Sequence, residues 1–250
     1  MATTDPPQGS TEPTSAAPMG ISLVLPGYNE EASLEETLRK CLAALAAFTP
    51  QHEVIFVDDA STDSTGAIAD RLAAELPHVR VVHNPVNLGV GASLLIGMKA
   101  ARYGLVAHNS VDYPFDLTDL RRVLPKFAEA DVVIVVRTDR SAHSPYRKLT
   151  SLVNFILIRL LFGVPFRDMN FVQVYRREVL ESVRVKARSP AFVTPELLIR
   201  ARDLGFRIAE VEAPFHRRKK GKAHYGKPHD ILWTLADMLS YWLRRMFDIG

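Results

Sequence analysis

The stretch ISLVLPGYNEEASLEETLRKCLAALAAFTPQHEVIFVDDASTD, residues 21–63, decides the fold. It opens on a short apolar run, Ile21 to Leu25, which stops at Pro26 and Gly27. Apolar residues then return at Leu34, Leu38, Cys41, Leu42, Leu45 and Phe48, the spacing of a helix that buries one face. Ser33 and Glu36 stand at capping-box spacing before it. A second short run, Val54 to Val57, ends at Asp58-Asp59. Strand, amphipathic helix and strand in this order predict a βαβ unit, whose two strands pair in parallel because the helix must cross back over the sheet.

Outward from this unit the rhythm repeats. Val79 to Val82, Leu105 to Ala107 and Val132 to Val136 read as further strands, with Phe206 to Ala213 as one more, and helices carry Ile68, Leu72 and Leu76, then Leu94, Leu95 and Met98. The expected fold class is α/β, a Rossmann-like, mostly parallel central sheet flanked by helices in one domain over residues 21–228. Residues 1–20 are rich in Pro, Ser and Thr without a basic start or an apolar run, and read as a disordered tail rather than a signal peptide. After Arg137 the alternation breaks. Leu149 to Phe162 is apolar on all sides apart from Arg159 and falls short of the roughly 20 residues of a membrane span, so it reads as a core helix or as one resting on lipid. Residues 229–250 read as a closing amphipathic helix, with Ile231, Leu235, Met238, Leu239, Trp242 and Met246 on one stripe, docked on the core or anchored at a membrane interface.

Composition narrows the function classes. With 47% hydrophobic and 24% charged residues the chain is globular rather than disordered. The single cysteine, Cys41, excludes an internal disulfide and a thiolate metal cluster, and agrees with a reducing compartment. The net charge is only +3, and the basic residues crowd at Arg217, Arg218, Lys219, Lys220, Lys222 and Lys227. Such clustering suits one anionic ligand and not a nucleic acid gripped over a whole surface.

In an open parallel sheet, ligands bind beyond the carboxyl ends of the strands, so the turns after the strands carry the chemistry. The first is Pro26-Gly27-Tyr28-Asn29-Glu30, and the second runs from Asp58 to Asp63. The third is Asn87-Leu88-Gly89-Val90-Gly91, and the fourth runs from Ser110 to Asp116. Together they offer what a nucleotide uses: backbone edges and an amide for a base, carboxylates for ribose hydroxyls or a cation, and a glycine turn for close approach. Taken singly, Asp59 or Asp63 could equally be a carboxylate at a helix start, and Gly89 and Gly91 mere backbone punctuation.

The segments LVLPGYNEEASLEETL, VIFVDDASTDSTGAIA, NPVNLGVGASLLIGMKAA, SVDYPFDLTDL, RDMNFVQVYRREVL and FHRRKKGKAHYG occur in this order over about residues 21–227. In them the chain resembles the inverting glycosyltransferases of family 2, in the branch of dolichol-phosphate mannose synthase and other polyprenyl-phosphate glycosyltransferases. The resemblance implies a glycosyltransferase A (GT-A) fold and a nucleotide-sugar donor of the GDP-mannose or UDP-hexose type. It implies a polyprenyl-phosphate acceptor and a cytoplasmic enzyme peripheral on the inner membrane face. By similarity Pro26, Tyr28, Glu30, Asp58 and Asp59 surround the base and ribose, with Asn87, Gly89, Ser110 and Lys222 also on the donor. Asp112, Asp168 and Arg218 are the implied catalytic residues, Asp168 on the acceptor side. The family's Asp-x-Asp turn holds magnesium or manganese against the donor pyrophosphate; here it reads Ser110-Val111-Asp112, leaving Asp112 as the metal carboxylate. Tyr113-Pro114 stand where the family usually has Gly-Gln, and Phe171-Val172-Gln173 where it tends to have Gly-Phe-Lys or Gly-Phe-Arg. Two other readings stay open: a nucleotide-sugar-binding relative that has lost metal-dependent transfer, favoured by Ser110, and a transferase for a soluble hydroxyl acceptor with Asp168 as base.

Overall fold

The computed structural model describes residues 20–138, 145–215 and 228–247. Seven strands form one sheet: β1 (Ile21–Gly27), β2 (His52–Asp58), β3 (Val79–His83), β4 (Leu105–His108), β5 (Val132–Arg137), β6 (Gln173–Arg176) and β7 (Ile208–Ala213). Their order is β3-β2-β1-β4-β6-β5-β7. Helices α1 (Leu34–Ala46), α2 (Thr65–Glu75) and α3 (Val90–Ala100) connect the first four strands, and the short α4 (Leu120–Val123) precedes β5. The rest are α5 (Pro145–Phe162), α6 (Arg177–Ser182), α7 (Val193–Asp203) and α8 (Pro228–Met246).

The mostly parallel α/β architecture expected from residues 21–63 is the one observed. All pairs are parallel except those of β6, which runs antiparallel to both β4 and β5. Because β6 is reversed between two like-directed strands, β1 to β5 and β7 all deliver their carboxyl ends to one edge of the sheet. β6 presents its amino end there. The four-residue β6 was not anticipated; Gln-Val-Tyr-Arg is too short and too mixed to stand out from its flanks.

Side chains alternate between two cores, one on each face. Leu23, Leu25, Val54 and Phe56 pack under α1 and α2, where Leu34, Leu38, Cys41 and Leu45 form the buried stripe of α1. Val24, Ile55, Val57 and Val106 face α3, α5 and α7. Each fully buried Leu or Val contributes about 1.5–3 kcal/mol, and this outweighs a poorly capped start at α1. The capping box expected there is not formed: Ser33 makes no cap hydrogen bond to the helix, and its hydroxyl instead donates to Glu30 Oε2 at 3.2 Å. Burial also pushes the Cys41 thiol up to about 12, so it stays protonated in the core.

The two apolar helices are corrected in detail. α5 is neither fully buried nor fully free. Ile158 and Phe162 reach the core, while Leu149, Leu152, Val153, Ile156 and Leu160 lie exposed along one face. On α8 the buried positions are Thr234, Met238 and Tyr241, so the stripe expected to dock on the core or to anchor at an interface is split: Leu239 and Met246 point outward with Leu232 and Leu243. Tyr241 packs against Phe162 with ring centroids 5.4 Å apart, which joins α8 to α5. No described helix is long and apolar enough to cross a membrane. The tail over residues 1–19 and the basic loop containing Arg218 and Lys222 lie outside the described residues.

Candidate active site at the carboxyl edge of the sheet

Strand register brings the first three turns together. Gly27 pairs with Asp58, Asp58 with His83, and Asn109 just beyond β4 donates its N–H to Val24 O at 3.1 Å. Side chains then fasten one turn to the next. Asn29, in the left-handed region at φ 55°, donates its N–H to Ser61 Oγ and exchanges amide hydrogen bonds with Thr62. Glu30 N–H donates to Thr65 Oγ1, and Ser64 N–H to Glu31 Oε2. Left-handed backbone costs an asparagine less than most residues, and these bonds across to the second turn hold it there.

The two aspartates after β2 diverge to opposite sides of the sheet. Asp58 is buried, accepting from Ser61 N–H through Oδ1 and lying 2.9 Å from His83 Nδ1 through Oδ2. Asp59, also buried, accepts from Leu88 N–H and Gly89 N–H at 2.8 Å each, and from Asn84 Nδ2 at 2.8 Å. Asp59 is therefore a carboxylate at a helix start, but the helix is α3 across the sheet rather than α2 next in sequence. Asp63 takes the local role, accepting from Thr65 N–H. Gly89 begins α3 at φ 84°, a conformation that L side chains resist, and a Cβ on Gly91 would fall 2.5 Å from Arg188 O. Both glycines are structural necessities of the third turn.

At the fourth turn, Thr37 Oγ1 donates to Val111 O at 2.8 Å and Asn109 Nδ2 to Phe115 O at 2.9 Å. Ser110 and Asp112 are half-buried on either side of the buried Val111. Tyr113 occupies a left-handed position at φ 55°, where glycine would cost nothing. Its ring is buried, its hydroxyl accepts from Leu117 N–H, and the Lys40 ammonium sits 3.6 Å from the ring centroid. Ring burial and cation–π contact offset a backbone cost of about 1–2 kcal/mol. Burial also raises the phenol well above its usual range.

Asp168 lies on the loop before β6, at the same edge, and is buried. Arg137 at the end of β5 grips it with two guanidinium bonds, Nε to Oδ2 at 2.7 Å and Nη2 to Oδ1 at 3.0 Å. A carboxylate so held fixes the arginine rather than standing ready as a base. The same guanidinium lies 5.1 Å from the Phe171 ring, which packs edge-on against Phe215 at the root of the basic loop. Beneath the fourth turn, His108 Nε2 lies 2.7 Å from Gln173 Oε1, and burial pushes the His108 pKa down to about 4, so the ring is neutral near pH 7. Gln173 thus fills its unusual position by meeting a neutral histidine.

Pro26, Tyr28, Glu30, Asp58, Asp59, Asn87, Gly89, Ser110, Asp112 and Asp168 accordingly gather at one edge. Sequence reasoning passed over Thr37, His83, Asn84 and Arg137. Asn84, which bridges Asp59 Oδ1 and Ser93 Oγ, left one visible trace, a polar residue directly after an apolar strand.

No group of three His, Cys, Asp or Glu side chains able to cage a metal occurs among the described residues. Magnesium and manganese commonly take only one or two carboxylates and complete their shell with phosphate oxygens and water. Asp112 at a strand tip fits a cation carried in by a nucleotide diphosphate.

An open sheet whose carboxyl ends converge on cross-braced, carboxylate-bearing turns defines a GT-A glycosyltransferase fold. The profile of glycosyl transferase family 2 matches residues 22–184, and the chain belongs to that family. It is 32% identical over 236 residues to glycosyltransferase AglD of Haloferax volcanii, covering 91% of this chain and 38% of that protein. It is 29% identical over 216 residues to undecaprenyl-phosphate mannosyltransferase of Micrococcus luteus, covering 82% of this chain and 87% of that one. Among solved structures, glucosyl-3-phosphoglycerate synthase of Mycobacterium tuberculosis, in complex with Mn2+, UDP and phosphoglyceric acid, superposes with a TM-score of 0.64 at 24% identity, covering 90% of this chain and 78% of that one.

Proposed function

We propose that the protein transfers a sugar from a nucleotide-sugar to a polyprenyl phosphate at a membrane surface. The observation that carries the reading is the braced set of four turns at one sheet edge, with Asp112 in the fourth of them. Relatives of this chain act on undecaprenyl phosphate by name. Pro26, Tyr28, Glu30 and the second turn cradle the nucleoside, and Asn87 and Gly89 bring backbone close to the donor. A divalent cation held by Asp112 and the diphosphate would neutralise charge on the leaving group. Arg218 and Lys222, which the family resemblance assigns to the donor side, would add positive charge there.

A lipid phosphate is already ionised near neutral pH, so no base is needed to create the nucleophile. This agrees with the engagement of Asp168 by Arg137. The phosphate oxygen attacks the anomeric carbon from the face opposite the nucleotide. One C–O bond forms while the bond to the diphosphate breaks, its electron pair leaving with the nucleoside diphosphate, and the anomeric configuration inverts.

The exposed faces of α5 and α8 supply the lipid contact. α5 exposes Leu149, Leu152, Val153, Ile156 and Leu160, α8 exposes Leu232, Leu239 and Leu243, and the two helices meet where Phe162 packs on Tyr241. Leu160, 77% exposed, can be changed without touching the core. Leu160→Glu and Leu239→Glu are each expected to weaken sedimentation with phosphatidylglycerol-containing vesicles by about tenfold while leaving thermal unfolding unchanged. Vesicle binding as strong as wild type in both variants would remove the interfacial role.

The decisive assay incubates radiolabelled UDP- and GDP-sugars with undecaprenyl phosphate, detergent and Mn2+, and follows label into the organic phase. Lipid-linked sugar is the expected product. Nucleotide binding with no donor consumed would instead favour a non-catalytic relative, and transfer only to soluble hydroxyls would move the acceptor reading.

A further inference from the structure

His83, the last residue of β3, is not itself among the residues expected to meet the donor, yet it touches one of them, Asp58, and stands between two carboxylates. Its Nδ1 lies 2.9 Å from Asp58 Oδ2 and its Nε2 2.9 Å from Asp70 Oδ1. Asp58 in turn accepts Ser61 N–H through its other oxygen at 3.0 Å, and Ser61 Oγ accepts Asn29 N–H at 3.0 Å. The Asn29 turn carries Tyr28 and Glu30. An unbroken chain of hydrogen bonds therefore runs from a histidine on β3 to the first turn of the site. On its helix side Asp58 lies close against α2, its Oδ2 3.1 Å from where a Cβ on Gly66 would stand.

We infer that His83 is a positioning residue for the donor nucleotide, acting through Asp58 and Ser61 on the Asn29 turn, a role that presupposes the donor site proposed above. Both ring nitrogens face carboxylate oxygens, so only the doubly protonated ring donates to both partners. A neutral ring carries one N–H and must set a lone pair against the other carboxylate. One of the two contacts then fails, and where Asp58 is the loser its carboxylate is no longer pinned against the second turn.

The charged groups that act on the ring are Asp70 on α2 and Asp58 at the end of β2. Their hydrogen bonds, that of Asp70 first, raise the His83 pKa above its ordinary value despite partial desolvation. A raised histidine pKa means that the brace is complete below the ordinary value and is lost as pH climbs through the raised one. Donor affinity should follow the same sign.

The test titrates UDP and GDP with Mn2+ into the full chain between about pH 6.5 and about pH 9.5. Wild-type affinity for whichever nucleotide binds is expected to fall roughly tenfold across that range, as one charge-assisted hydrogen bond is lost. His83→Ala is expected to bind weakly at every pH. His83→Arg keeps donors for both carboxylates and never deprotonates, so it should bind tightly with a flat profile. A role in packing alone would not move a pH profile. A flat wild-type profile, alanine binding as tight as wild type, or an arginine variant that falls as wild type does each overturns the inference while leaving the donor site standing. Wild-type protein that binds neither nucleotide at any pH overturns the donor site and the role of His83 together. If the alanine variant does not fold, the contrast between wild type and arginine still decides.

Discussion

Asp112→Ala is expected to lower sugar transfer by about 100- to 1,000-fold while leaving unfolding free energy within about 1 kcal/mol of wild type. The fourth turn takes its shape from other groups. Thr37 holds Val111 O, Asn109 holds Phe115 O, and the Tyr113 hydroxyl holds Leu117 N–H. Removing a half-buried carboxylate from a turn so braced should leave its backbone in place. What the proposal expects to be lost is the negative charge that would hold the cation against the diphosphate. The reverse change, Ser110→Asp, restores a second carboxylate two residues away and is expected to tighten Mn2+-dependent nucleotide binding by roughly tenfold. Donor turnover with and without Mn2+ checks both variants. Unchanged turnover in Asp112→Ala would exclude the proposed cation site.

The contrast between Asp112 and its surroundings shows what the sequence made legible. Turn positions after β1 to β4 follow directly from hydrophobic periodicity, because strand ends in a parallel sheet share one edge whatever their side chains do. Side-chain roles do not follow from periodicity. Asp58 and Asp59 are adjacent in sequence and both acidic, yet one faces His83 and the other braces the start of α3. Their separation arises from strand alternation at the end of β2, combined with partners 25 to 30 positions away in sequence. Arg137 was invisible for the same reason: its meaning lies in Asp168, 31 residues on, across the reversed strand β6. The apolar helices misled for a different reason. Helical periodicity identifies a stripe, but α5 and α8 are apolar on two sides, and only packing decides which side meets the core. On α8 it is the side of Met238 and Tyr241, seated against Phe162 and Phe192, which leaves Leu239 and Met246 outward.

Replacing Asp59 by alanine is expected to destabilise the fold by about 3 kcal/mol and to weaken nucleotide affinity by at least about 100-fold. The carboxylate is 3% exposed and serves three donors, the N–H groups of Leu88 and Gly89 and the amide of Asn84. Alanine strands them in a place where water has little access, so the loss is the desolvation cost of several groups rather than the value of one bond. Among the described residues, no other side chain accepts a hydrogen bond from the backbone of Leu88 or Gly89. Gly89 depends on that contact to hold φ 84° at the start of α3, and Asn87 is carried by the same segment. Asp59→Asn keeps one accepting oxygen but turns an amide toward a backbone N–H, so its stability should fall between alanine and wild type. Urea unfolding paired with nucleotide titration separates two roles for this residue. A carboxylate that only touched the donor base would lose affinity at unchanged stability, whereas a strut loses both in step. Alanine with native stability would show that the third turn stands without Asp59, and the donor pocket would then need another architect.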